Sequence, residues 1–181
     1  TPARAVIAAG VRLLSACLLA LAAATAARAA PVIYVLDPEH SFVHFEVMHF
    51  GTSTLRGRFG PLAGFALLDH AAGTGQVSLR VPTQGVSTGL RKGDLLASEA
   101  HPEAYFVAER FVFDAAALRE VRGEFTLRGV SRPLTLRAQR FSCGRHPQLQ
   151  RHWCGGDFEA ELPRSDYGIT FGLPLVADRV R

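Results

Sequence analysis

The chain has 181 residues, 48% of them hydrophobic and 20% charged, enough for one globular domain with a sizeable core. Its formal net charge of +4 falls to +1 once an N-terminal leader is set aside, because Arg4, Arg12 and Arg28 lie in that leader with no acid among them. A nearly neutral chain without a basic cluster lacks the electrostatic footprint of a nucleic-acid partner.

Residues 1–29 have the layout of a secretory signal peptide: arginines at Arg4 and Arg12, an apolar run from Leu13 to Ala24, and the small-x-small site Ala27-Arg28-Ala29 before Ala30-Pro31. Cleavage is predicted after Ala29, with residues 30–181 exported to the periplasm as a single domain. A membrane anchor would need about 20 apolar residues and a charged stop after them. Leu14-Ser15-Ala16-Cys17 offers a second processing pattern, a lipobox in which Cys17 would be lipidated.

Beyond the leader, apolar and polar residues alternate with period two, the mark of strands buried on one side. Val43, Phe45 and Val47 oppose His44 and Glu46. A strand over Gly64 to Asp69 is separated by Gly73-Thr74-Gly75 from one in which Val77, Leu79 and Val81 interleave with Gln76, Ser78 and Arg80. Leu90 to Glu99 is the single candidate helix, short and bounded by His101-Pro102. Val121, Phe125 and Leu127 then oppose Arg122, Glu124 and Arg128, and the segment Arg128 to Pro133, with its glycine and proline, predicts a β-hairpin leading to Leu134, Leu136 and Ala138. The last alternating run places Phe158, Ala160 and Leu162 on one face.

Seven or eight antiparallel strands without a βαβ rhythm leave a sandwich or a closed barrel. Phenylalanines spread over nearly every strand, including Phe42, Phe59, Phe65, Phe106, Phe111 and Phe113, favour the barrel, whose interior is filled by side chains or holds one small ligand. The expected fold is therefore all-β, an antiparallel lipocalin-like β-barrel of about eight strands with one short helix.

Cys143 and Cys154 flank His146 and His152 in a Cys-x-x-His…His-x-Cys pattern that invites a zinc reading. In an oxidising compartment the pair is instead expected to form a disulfide, contributing about 3 kcal/mol in the chain-entropy model. His40, His44 and His49 do not converge on one strand face, so no metal site is predicted from them. His40 and Ser41 are expected to make local hydrogen bonds. No serine sits in a Gly-x-Ser-x-Gly elbow and the acids pair poorly, so no catalytic residue is assigned.

From Tyr34 to Arg181 the order of motifs resembles the YceI-like polyisoprenoid-binding proteins. The resemblance is carried by Tyr34-Val35-Leu36-Asp37-Pro38-Glu39-His40-Ser41, Phe45-Glu46-Val47-Met48-His49-Phe50-Gly51, Arg56-Gly57-Arg58-Phe59, Gly123 to Val130, Arg164-Ser165-Asp166-Tyr167-Gly168 and Ala177-Asp178-Arg179-Val180. It implies an exported barrel without catalysis or a resident cofactor, holding an isoprenoid, quinone-like or other long-chain lipid. Val43, Phe45, Val47, Phe59, Phe106, Phe125, Phe158 and Leu162 are the expected lining. His49 and Arg164 are the expected polar fixtures near a head group, Arg164 being read structurally as part of a salt-bridged turn. A homodimer and a transient inner-membrane partner are compatible with such a carrier. The rival readings are a periplasmic enzyme acting on a quinone or lipid ester, and a filled barrel that docks to a membrane redox partner.

Two departures from the family pattern carry expectations. The segment Ser98-Glu99-Ala100-His101-Pro102 is shorter than usual, which alters a loop near the barrel mouth. A family strand after Asp178-Arg179-Val180 has no counterpart before Arg181, which predicts an unpaired sheet edge.

Overall fold

The period-two runs become strands, the last of them broken at residues 160 and 161, and they pair with their neighbours in sequence wherever a tight turn separates them. In the computed structural model, which describes residues 30–86 and 95–181, the described residues form β1 (Val32–Val35), β2 (Val43–His49), β3 (Ser53–Phe59), β4 (Ala63–Asp69), β5 (Thr74–Pro82), β6 (Glu103–Asp114), β7 (Ala117–Leu127), β8 (Val130–Arg145), β9 (His152–Glu159), β10 (Leu162–Pro163) and β11 (Val176–Val180). A 3-10 turn covers Arg164–Tyr167. No helix among the described residues is long and apolar enough to cross a membrane.

Every pairing is antiparallel. One sheet has the order β1-β4-β5-β6-β7-β8-β9 and the other β10-β11-β2-β3. The chain passes between the sheets three times, through residues 36–42 from β1 to β2, through residues 60–62 from β3 to β4 and through residues 160 and 161 from β9 to β10. The result is an all-β, lipocalin-like, nearly closed antiparallel barrel. The strand count exceeds the expected eight because these bends split long ribbons in two. The run from Asp157 to Leu162 is thus not one strand: Phe158 lies on β9 and Leu162 on β10, in different sheets.

The hairpin from β7 to β8 is tighter than the sequence suggested. Arg128 and Gly129 alone make the turn, both with positive φ (52° and 73°), as the right-handed twist of a two-residue hairpin favours. Pro133 is therefore inside β8, opposite Glu124 on β7. The β9 ladder on the other side of β8 begins only at Arg137, so a proline without an N–H sits where that flank of the strand has no ladder partner.

The expected helix is only partly seen. Leu95 and Leu96 are helical, Ala97 takes a left-handed φ of 49° that ends the turn, and Ser98 to Ala100 form a separate turn; residues 87–94 lie outside the described residues. This segment is pinned by Thr83, buried to 1% exposure, whose hydroxyl donates to the His101 carbonyl while Ser98 Oγ donates back to the Thr83 carbonyl.

The C-terminal strand is not the expected unpaired edge, which the sheet orders leave instead at outer strands such as β1 and β9. β11 lies between β10 and β2, and Glu46 and Arg181 exchange backbone hydrogen bonds of 2.8 and 3.0 Å at its end. The Glu46 carboxylate also receives Arg56 at 2.6 Å and Arg181 at 2.7 Å, which together hold its pKa below the usual carboxylate range.

The two outer strands of the larger sheet approach each other without a ladder. Val32 and Tyr34 of β1, with His70, face Cys143, Gly144, Arg145 and His152 of the β8–β9 hairpin across a cavity of about 320 Å³. Cys143 and Cys154, directly opposite on β8 and β9, form the expected disulfide.

Candidate functional site

Alternation sends one row of each strand inward, and these rows meet as three apolar clusters. Phe106, Ala108, Leu118 and Val121 form one, joined by Val77, Leu79, Leu134, Leu136 and Ala138. Val86, Leu96, Tyr167 and Ile169 form a second, joined by Phe45, Phe59 and Leu162; Leu62, Val81 and Ala104 form a third. Phe125 packs against all three and so stands at the centre of the interior. Its ring meets Tyr167 edge-on at 5.7 Å, while Phe45 and Phe59 lie 5.2 Å apart.

These inward residues are unevenly shielded. Phe106 and Val121 are buried at 3% and 4% exposure, yet Val77, Leu79, Phe45, Phe59, Phe125, Leu134, Leu136 and Ala138 remain half-buried. Strands β6 and β7 approach each other closely near Gly123. Gly123, between inward Val121 and Phe125 and opposite Ala108, has no room for a Cβ, which would lie 2.2 Å from the Val107 carbonyl oxygen and 2.5 Å from the Ala108 methyl.

The residues picked from sequence divide into groups. Phe45, Phe59, Phe125 and Leu162 come together around the second cluster, and Phe106 sits deeper in the first. Val47 is buried at 7% on β2, opposite Leu55. Val43 and Phe158 are exposed at 36% and 38%; the Phe158 ring lies 6.2 Å from Phe141 on the neighbouring strand. His49, half-buried, sits at the end of β2 with its ring 4.4 Å from that of Phe50.

Arg164 is buried at 6% exposure and its guanidinium is occupied by the chain itself. Nε donates to the Ala177 carbonyl at 2.9 Å, Nη1 to those of Ile169 (2.9 Å) and Phe171 (2.8 Å), and Nη2 to that of Val176 (2.9 Å). One planar group thereby fixes both arms of the segment from residue 168 to 177. Burial lowers the Arg164 pKa from its ordinary value and the charge of Asp178 partly offsets this. The expected salt-bridged turn is thus a carbonyl-bonded one.

The acid that completes the turn is Asp178. Its carboxylate accepts from the Ser165 hydroxyl at 2.7 Å and the Ser165 N–H at 2.8 Å. The hydroxyl bond first, then the backbone bond, lower the Asp178 pKa. A depressed folded-state pKa contributes stability that is present above the unfolded value of about 3.9 and disappears as pH falls through the folded one. Asp178→Asn is accordingly expected to cost about 1 kcal/mol at pH 7 and to flatten the loss of stability below about pH 4. Urea unfolding midpoints between pH 3 and 7 measure both effects; an unchanged acid limb would contradict the assignment.

On the outer side Arg128, from the β7–β8 turn, donates to the Gly168 carbonyl at 2.5 Å. Tyr167, 2% exposed, is the interior residue that sequence reasoning passed over as a site residue. Burial raises its pKa. The one signal for it was its place in the Arg164-Ser165-Asp166-Tyr167-Gly168 motif. Near the start of the barrel His40 Nδ1 pairs with Asp37 Oδ2 at 2.8 Å, a local hydrogen bond as expected for His40, and the Glu39 N–H donates to Asp37 Oδ1 at 2.9 Å.

Residues 34–181 match the model of the YceI-like domain. The chain is 30% identical to a UPF0312 protein of Pseudomonas paraeruginosa over 177 residues, 92% of each chain, and 32% identical to the protein YceI of Escherichia coli O157:H7 over 157 residues, 81% of each. Among solved structures it is similar in fold to BcnA of Burkholderia cenocepacia, with a TM-score of 0.62 and 16% identity over 77% of this chain and 91% of that one. A polyisoprenoid binding domain from Saccharophagus degradans is similar with a TM-score of 0.51 and 18% identity, covering 81% and 91%. With the motif order, the barrel and these matches agreeing over the same residues, the chain belongs to the YceI-like domain family.

Proposed function

We propose that the barrel is a non-catalytic carrier that encloses one long apolar lipid, an isoprenoid or quinone-type tail, in an exported, periplasmic protein. The observation that carries this reading is the set of inward apolar side chains, led by Phe45, Phe59 and Phe125, that stay half-accessible although they lie in the middle of the packed clusters. An interior closed by its own side chains would bury such a row. The solved relative from Saccharophagus degradans, a polyisoprenoid binding domain, supports the ligand class. The Cys143–Cys154 disulfide and the leader-like residues 1–29 support export.

Each five-carbon unit taken inside would gain about 4 kcal/mol gross, at roughly 0.8 kcal/mol for each methylene-sized group. Ordering the tail and fixing the complex consume much of that gain. Such a site selects length and branching above head-group chemistry, with Tyr167, beside Phe125, as the polar residue within the apolar cluster.

Ala138, inward and half-buried beside the cluster of Phe106, is where the reading is tested. If the interior is hollow, Ala138→Phe fills it: stability should change by less than about 1 kcal/mol, while affinity for a polyprenol probe falls at least tenfold. A plugged interior would instead show an overpacking cost of about 1–3 kcal/mol. Native mass spectrometry of protein from the host periplasmic fraction should find one lipid per chain. A folded, delipidated protein with no affinity for isoprenoids or fatty amphiphiles would end the proposal.

A further inference from the structure

The disulfide has a neighbour that sequence separation conceals. His70, the residue after β4, reaches the β8–β9 hairpin across the seam next to β1, and its ligating nitrogen and the sulfurs of Cys143 and Cys154 all lie within 4.8 Å of one another. We propose that these three residues form a redox-gated site for a soft d10 cation such as Zn²⁺, closed while the disulfide is intact and opened by its reduction.

The β8–β9 ladder holds the two sulfurs together. Cys143 and Cys154 face each other in register between Ser142↔Gly155 on one side and Gly144↔Trp153 on the other, within a ladder that runs to Arg137↔Glu159. The backbone, not the cross-link alone, keeps the pair opposed, so reduction leaves two thiols side by side. Freed of their bond, the sulfurs relax to non-bonded separation, close to the roughly 3.8 Å edge of a tetrahedron with metal–sulfur bonds of about 2.3 Å.

The exchange balances with a dithiol reductant. Two electrons and two protons pass from the dithiol to the disulfide, giving Cys143 and Cys154 thiols and the reductant's own disulfide. Cation binding then releases the two thiol protons to solvent, and two thiolates with one neutral imidazole form the donor set. Two thiolate charges match a divalent cation, and thiolate with imidazole suits zinc or copper(I) better than the hard cations.

The surroundings fit. Cys143 and His70 are exposed, so reductant and metal can both reach them. Tyr34 Oη lies 3.1 Å from His70 Nε2 with the rings edge-on, a contact of the kind that orients a metal-ligating imidazole. Arg145 lines the same cavity, and a nearby guanidinium favours the thiolate form on which exchange depends. His152, two residues before Cys154 on β9, also lines it and, with water, is a candidate for the fourth position. His146, the other histidine of the Cys-x-x-His…His-x-Cys pattern, is engaged elsewhere: its Nδ1 accepts the N–H groups of Gln148 and Leu149 in the hairpin loop.

The test uses the full chain, oxidised or reduced with a phosphine, and titrates Zn²⁺ against a chromophoric chelator. The reduced protein is expected to bind one Zn²⁺ at least 100-fold more tightly than the oxidised protein. His70→Ala should weaken binding by the reduced form at least tenfold, and His44→Ala, on β2, should leave it unchanged. With Cd²⁺ the reduced wild type should show a thiolate-to-metal charge-transfer band in the ultraviolet that the oxidised protein lacks. Equal affinity in both redox states, or binding indifferent to His70→Ala, overturns the site. So does loss of the β-sheet circular dichroism signal on reduction, because the proposal requires the ladder to hold the thiols in place.

Discussion

Arg164→Ala is expected to destabilise the protein by about 3–5 kcal/mol, because several carbonyls lose charge-assisted hydrogen bonds together, at roughly 1–3 kcal/mol for each group left unsatisfied. The mutation strands four carbonyls, of Ile169, Phe171, Val176 and Ala177, which each lose a charge-assisted donor inside a fixed segment. Lysine does not rescue the site, since a compact ammonium cannot span acceptors that the planar guanidinium reaches from three nitrogens. Arg164→Lys should therefore recover less than half of the loss. Chemical denaturation of the three proteins measures this, and a cost below 1 kcal/mol for alanine would show that the segment keeps its shape by other means.

The second large effect compares two phenylalanines. Phe106, 3% exposed, is packed among Ala108, Leu118 and Val121, so Phe106→Ala should cost about 4 kcal/mol, as a sealed cavity does. Phe125 touches all three clusters but is only half-buried. Truncation there extends space that is already open, and the expected cost is about 2 kcal/mol, nearer the transfer term alone. The lipid readout should move the other way: Phe125→Ala widens the hollow and shifts preference to longer or bulkier chains, whereas Phe106→Ala leaves preference unchanged in whatever fraction folds. Equal costs at the two positions would mean an interior equally filled at both, against the carrier reading.

The same contrast explains what was legible beforehand. Strand identity was, because period two is a local property: Val77, Leu79 and Val81 alternate with polar neighbours whatever surrounds them. The disulfide was too, since two cysteines flanking a hairpin loop behind a leader-like segment are expected to pair. The turn at Arg128-Gly129 was placed correctly but drawn too long, because Pro133 reads as a breaker unless the missing flanking ladder on β8 is known.

Functional side chains were less accessible. Arg164 looked like a candidate for a ligand head or an ion pair, yet its partners are main-chain carbonyls, which every residue carries and no sequence pattern marks. Phe158 and Leu162 were grouped by alternation, which holds only within one unbroken strand; the bend at residues 160 and 161 sends them to different sheets. His70 carried no signal, being separated from Cys143 by most of the larger sheet along the chain.

The amino-acid sequence by itself determined an all-β chain, its hairpins, its family and the pairing of Cys143 with Cys154, because each rests on short-range periodicity, turn chemistry or motif order. Only the tertiary structure decided how far each inward row is covered, which groups satisfy Arg164, and that His70 meets the disulfide across the seam. Those outcomes depend on how two sheets curl and where their edges meet, a long-range geometry that local alternation permits in several forms and packing resolves into one.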